Sequence, residues 1–146
     1  MLKIITSVAD PLVDLVRDDP VRPSIPTASR IHDHAEILVL IEDDKPAAVV
    51  CVAYLEAVPT TELELGATGD NIAAFYTIWS YAPGAGRRLI RAARIHIAQT
   101  RPTITRYVTL SPKTEMARKF HMKNGATVHK TNETTVNYKY YDRDAA

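Results

Sequence analysis

The sequence predicts an α+β fold, a mixed central β-sheet flanked by helices on both faces, in a single domain over residues 1–146. Three observations carry this. Long strand-like runs crowd the first half, where AEILVLIED, PAAVVCVAYLEAV and NIAAFYTIWSY are dense in branched and apolar residues. Strand and helix patterns alternate in the second half, which calls for a parallel connection in an otherwise antiparallel sheet. A chain of 146 residues, 46% of them hydrophobic, has the size and apolar content of one globular core.

The elements follow in order. LKIIT at residues 2–6 reads as a short strand, and Asp10-Pro11 supplies an N-cap with proline at the first helical position. A first helix then buries Leu12, Val13, Leu15 and Val16 before Asp19-Pro20 ends it. VRPSIPTASR, with two further prolines, is an irregular loop of the kind that covers substrate sites. Two strands joined at Asp44-Lys45 form an antiparallel hairpin, and a polar, turn-rich stretch containing Leu63 and Leu65 leads into a third long strand. Beyond it Leu89, Ile90, Ala93 and Ile97 share one helical face while Arg87, Arg91 and Arg94 occupy another, until Thr100-Arg101-Pro102 stops the helix. RYVTL is a short strand; Ser111-Pro112 opens a further helix that runs to Gly125; ATVHKT and TTVNYKYY close the chain as a hairpin turning at Asn132-Glu133.

Charge and composition narrow the function classes. Eighteen Lys and Arg against 17 Asp and Glu leave a net charge of +1, so no overall field favours nucleic acid or a membrane surface. The single cysteine, Cys51, lies in the apolar run AAVVCVAYL and reads as a buried thiol in a reducing compartment. No run approaches the roughly 18 apolar residues of a membrane span, and acidic and polar residues interrupt the N-terminal stretch. A soluble, cytoplasmic protein is expected.

The chemistry concentrates at YAPGAGRRLI, residues 81–90, where Gly84 and Gly86 stand at a strand-to-helix junction in a chain with only five glycines. Such a junction presents free backbone N–H groups at the positive end of a helix dipole, an anion cradle to which Arg87 and Arg88 add charge. Glycine also serves ordinary tight turns, so both readings stand. A Walker A loop needs Lys and Ser or Thr after the last glycine, where Arg87-Arg88-Leu89 stand; a dinucleotide fingerprint needs glycine or alanine at Leu89.

The junction resembles the pyrophosphate loop of the GNAT superfamily of acyl-CoA-dependent N-acyltransferases, Gln or Arg, two residues, Gly, one residue, Gly or Ala. Gly84 and Gly86 match and Tyr81 departs from the first position. The superfamily's second signature, Asn-x-x-Ala, then an aromatic-Tyr pair, then Gly-Phe, is met by Ala117, Phe120 and Gly125, whereas Thr114, His121 and Ala126 depart from it. Compact chains of this sort also resemble small proteins of tailed phages, some of them virion components or DNA-modifying enzymes, which would place the protein in a host cytoplasm.

The resemblance implies an acetyl-CoA-dependent transfer to an amine. Gly84, Ala85, Gly86, Arg87 and Arg88 would hold the pyrophosphate, and Ile78, Trp79 and Ser80 would pair with the pantetheine amides. His121 stands where the family's acid tyrosine would be, as a general acid or as a polar residue on a helix flank. The base is open among Glu56, Glu62, Glu64 and the His32-Asp33-His34 cluster, and no metal is expected, because a lone His-x-His pair on a loop falls short of a ligand set. Trp79 and Tyr76 line the acceptor pocket or pack in the core, and Arg91 and Arg94 read as a wet helix face. The acceptor pocket is expected from residues 20–30, residues 57–71 and the last hairpin. The departures at Tyr81, Thr114 and His121 keep open a non-catalytic structural protein, and DNA modification is a third class that near-neutral charge disfavours. The tyrosine-rich NYKYY reads as an exposed edge able to pair in a homodimer.

Overall fold

A computed structural model of the chain describes residues 1–141. It contains eight strands, β1 (Leu2–Ile5), β2 (Ala35–Glu42), β3 (Lys45–Leu55), β4 (Ile72–Ser80), β5 (Arg106–Thr109), β6 (Ser111–Pro112), β7 (Thr127–Thr131) and β8 (Thr135–Lys139). Two α-helices, α1 (Ala85–Thr100) and α2 (Glu115–Lys123), and three 3-10 helices complete it. The strands join in one mixed sheet in the order β1-β2-β3-β4-β5-β8-β6, with β7 paired to β8. β4 and β5 are parallel and every other pair is antiparallel.

The sheet buries both faces, which is why its central strands read as near-continuous apolar runs. On one face Val50, Val52, Tyr54 and Phe75 pack beneath α1 through Leu89, Ile90, Ala93 and Ile97, the face its spacing predicts. On the other, Val49, Cys51, Tyr76 and Trp79 pack beneath Leu12, Val13, Leu15, Val16 and Ile25. Helical elements on both faces of a mixed sheet are the expected architecture. Cys51 is fully buried, and burial pushes its thiol up to about 11. No helix among the described residues is long and apolar enough to cross a membrane.

Several local expectations change. The first helix, Pro11–Asp18, is a 3-10 helix, capped by Asp10 through Oδ1 accepting from Leu12 N at 2.9 Å. Its apolar pairs Leu12/Leu15 and Val13/Val16 lie three apart, the spacing at which 3-10 side chains eclipse. The hairpin turns at Asp43-Asp44, both at positive φ (52° and 61°), with Glu42 and Lys45 paired as strand residues. Ser111-Pro112 does not open a helix: it pairs with β8 opposite Val136 and Thr135, and Thr114 caps α2 by accepting from Ala117 N.

The tyrosine-rich end is no edge. β5 and β6 run along one side of β8 and β7 along the other, so Tyr138 and Tyr140 are buried. On this side of the sheet the outer strand is β7, exposed along its length, and β1 forms the opposite end.

Candidate functional site

The site begins with one extra residue. Along β3 and β4 the register steps from Cys51↔Thr77 to Val52↔Phe75, leaving Tyr76 as a bulge. A bulge bends its strand and sharpens the twist. At the same place β4 parts from β5: their pairing covers Ile72–Phe75 against Arg106–Thr109, and Leu110 N donating to Phe75 O at 3.1 Å ends it. Onward to Ser80, β4 follows β3, while the chain after β5 turns to β8 as β6. The two strands form a wedge whose β4 wall, Tyr76–Ser80, is about 16 Å of backbone.

The wide end of the wedge meets the N-terminus of α1. Gly84 caps the helix at φ 74°, a left-handed conformation that favours glycine. Ala85 N donates to Ala82 O and Arg88 N to Gly84 O, and among the described residues the N–H groups of Gly86 and Arg87 take no backbone acceptor. These free donors lie at the positive end of a 16-residue helix, where a helix dipole favours an anion.

The two glycines do different work. A Cβ on Gly86 would lie 2.7 and 2.9 Å from the Phe120 ring, so this glycine makes room for α2. Arg88 binds Glu42 through Nε and Nη2, each at 2.7 Å, and its Nη1 lies over Gly84. Arg87 is exposed. Of the strand residues, Ile78 faces α1, Trp79 faces the opposite core and Ser80 is exposed. Trp79 Nε1 donates to Tyr81 Oη at 2.9 Å, and Tyr81 Oη donates to Asp18 at 2.6 Å. That contact occupies the side chain standing in place of the motif's Gln or Arg.

Neither catalytic candidate stands in the wedge. Glu56 follows β3 where Leu55 pairs with Ile72, the closed end of the ladder, and its carboxylate takes a hydrogen bond from Asn71. Four residues of strand, about 13 Å, separate Ile72 from the bulge. His121 is buried, with Nδ1 2.7 Å from Tyr140 Oη and its ring stacked on Tyr138, and burial lowers its pKa to about 4. At neutral pH the imidazole is uncharged, and its place is the seam between α2 and β8. Glu64 is tied to Thr60, and His32 and His34 lie before β2, His34 beside Asp70.

Residues that the sequence did not single out hold the apex. Arg22 Nε donates to Tyr76 O (3.0 Å), Nη2 to Leu110 O (2.9 Å) and Nη1 to Glu62 (3.0 Å). Beneath it lies a buried pair, Arg30 Nη1 to Asp19 Oδ2 at 2.7 Å. Burial works to raise the Asp19 pKa, but hydrogen bonds from Thr77, Arg22 N, Arg30 and Val21 N outweigh it and hold the carboxyl below its ordinary value. The legible signal is the loop's stiffness: Pro20, Pro23 and Pro26 bracket Arg22 and fix the backbone on either side.

Beside the apex an open groove of about 710 Å³ is lined by Ser24, Ile25, Ser29, Glu62, Leu65 and Tyr76, among others. It brings together two of the three segments expected to form the acceptor pocket, residues 20–30 and 57–71, and not the last hairpin.

Solved structures superpose on this chain over nearly its whole length. Malonyl-CoA decarboxylase from Agrobacterium vitis aligns with a TM-score of 0.79 at 15% identity, over 99% of this chain and 61% of that one. The GNAT domain of PAT from S. lividans gives 0.64 at 18% identity, covering 97% of this chain and 89% of its own. The PaiA N-acetyltransferase from Thermoplasma acidophilum, solved in complex with coenzyme A, gives 0.61 at 11% identity, over 97% and 99%. The chain spans only about three fifths of the malonyl-CoA decarboxylases it superposes on, 61% and 60% for two of them. No family model matches the sequence, and no curated protein matches it. At these identities the likeness defines the fold, and the chain has the GNAT fold.

Proposed function

We propose that this protein is an acyl-CoA-dependent N-acyltransferase that moves an acetyl group to an amine. The observation that carries the reading is the β4–β5 wedge opening onto the N-terminus of α1. The unpaired edge of Thr77–Ser80 fits the two amides of an extended pantetheine, and the N–H groups of Gly86 and Arg87 fit its pyrophosphate. Bound there, acyl-CoA would supply an activated thioester.

The groove beside Arg22 and Tyr76 is the entry for the acceptor. Glu62 lines it, and of the carboxylates weighed from the sequence it alone reaches the wedge apex through Arg22. It takes the proton that an ammonium acceptor must lose. The freed nitrogen attacks the thioester carbonyl carbon, the C–S bond breaks, and coenzyme A leaves as its thiolate, which takes up the second proton that the nitrogen loses on becoming an amide.

Calorimetric titration with acetyl-CoA and malonyl-CoA tests this, repeated on Gly84→Asn and Gly84→Asp. Both side chains tolerate the left-handed conformation, and only the second places a negative charge at the cradle. Binding by the wild type and by Gly84→Asn, weakened in Gly84→Asp, supports the reading; no binding of any acyl-CoA by the wild type sinks it.

One observation favours a second reading, a ligand-binding member of the fold without transfer activity: His121 is buried and uncharged at neutral pH where the family has its acid. Tight acyl-CoA binding with no product across a panel of amines selects that reading.

A further inference from the structure

We propose that Arg22 is the positioning residue that sets the opening of the β4–β5 wedge, by capping the two carbonyls at which the ladder between those strands stops. The inference rests on the reading that the wedge takes an acyl-CoA. The last bond of the ladder runs from Leu110 N to Phe75 O. In a continuing parallel ladder Leu110 O would accept from the next β4 amide. Arg22 Nη2 takes that acceptor at 2.9 Å, and its Nε takes Tyr76 O at 3.0 Å.

One planar guanidinium therefore bridges the first free carbonyl of each wall. Its donors form a rigid fork, so their spacing fixes the distance between the acceptors, which a flexible ammonium cannot do. It also satisfies two carbonyls that the opened ladder would strand without a partner. With those acceptors filled, the β4 edge beyond them stays open for a ligand.

Arg22 is itself held from both sides. Asp19 Oδ1 accepts from Val21 N and Arg22 N at 2.8 and 3.0 Å, and Arg30 Nη2 donates to Arg22 O at 2.8 Å. Thr77 Oγ1, next to the bulge, donates to the same Asp19 oxygen at 2.7 Å. The path from β4 through Thr77, Asp19 and Arg22 back to Tyr76 O is closed. The buried pair thus presents the guanidinium at a fixed height over the apex, and the side chain of Arg22 is only 11% exposed. Affinity lost through a misplaced wall is a loss of preorganisation, not of a direct contact.

The test compares wild type, Arg22→Ala, Arg22→Lys and the control Arg17→Ala, an exposed arginine of the preceding 3-10 helix. Calorimetry with acetyl-CoA, with and without ethylguanidinium, is paired with amide hydrogen exchange of the ligand-free proteins. The expected results are unchanged binding in Arg17→Ala, about tenfold weaker binding in Arg22→Ala, partial recovery with ethylguanidinium and an intermediate affinity for Arg22→Lys. Exchange in Arg22→Ala should rise at Leu110 and Thr77–Ser80 and stay unchanged at Ile72–Phe75. If the wild type binds no acyl-CoA, the functional reading fails and the exchange pattern alone decides the role of Arg22. Equal binding by wild type and Arg22→Ala, a loss that ethylguanidinium does not restore, or exchange rising evenly across the sheet overturns the inference.

Discussion

The closed and open ends of the β4–β5 pair are made from the same two strands and do opposite things. From Ile72 to Phe75, β4 is paired on both sides and its side chains are buried, among them Ala73 and Ala74. From Tyr76 to Ser80 it keeps only β3, and the chain next to it is a polar anchor of Asp19, Arg22 and Arg30, tied to β4 through Thr77 Oγ1 and Tyr76 O. The single extra residue at Tyr76 separates a stretch that holds the fold together from the one proposed to take the acyl-CoA. A site of this kind needs no long motif, because its donors and acceptors are main-chain groups released from pairing.

The strongest way to break this comparison is to remove the anchor. Arg30→Met leaves the Asp19 carboxylate buried and unpaired, and should cost roughly 3–5 kcal/mol in urea unfolding, with acyl-CoA affinity falling in whatever remains folded. Next comes acid. His121 has a folded pKa of about 4 against about 6.5 unfolded, so the unfolded chain binds the proton first as pH drops. Its contribution is whole above about 6.5 and is lost progressively toward 4, on the order of 3 kcal/mol. His121→Gln should flatten the fall of Tm with pH over that window.

Gly86→Ala sharpens the division of labour between the two glycines. Its Cβ would press on the Phe120 ring, so stability should drop by about 1–3 kcal/mol and recover in the double variant with Phe120→Leu. No recovery in the double variant would contradict the clash with Phe120. The smallest effect belongs to the closed end: Glu56→Gln should alter stability by no more than about 0.5 kcal/mol and leave acyl transfer unchanged, whereas Glu62→Gln should slow it.

Much of the sheet was legible, because β2, β3 and β4 are buried on both faces and appear as unbroken apolar runs. α1 was legible for the complementary reason, one apolar face and one arginine face. Ser111-Pro112 misled because a serine before proline suits a helix cap and an edge-like strand alike, and only β8, some 25 residues on, decides between them. The tyrosines of β8 misled in the same way: whether a strand is an edge depends on neighbours remote in sequence. At the site, Gly84 was readable from its local junction, but the reason for Gly86 lies on α2. Arg22, Asp19 and Arg30 gave no signal beyond a proline-rich loop, since Arg22 and Asp19 meet the sheet at Tyr76, Leu110 and Thr77, more than 50 residues away, and Arg30 acts through Asp19.

The most direct test of the account follows backbone amide resonances of the intact protein during a titration with acetyl-CoA. The account predicts saturable shifts at Thr77–Ser80 and at Gly84–Arg87, with Ile72–Phe75 and the Glu56 turn unmoved. Shifts confined to other parts of the sheet, or none at any concentration of acetyl-CoA, malonyl-CoA or coenzyme A, would contradict it.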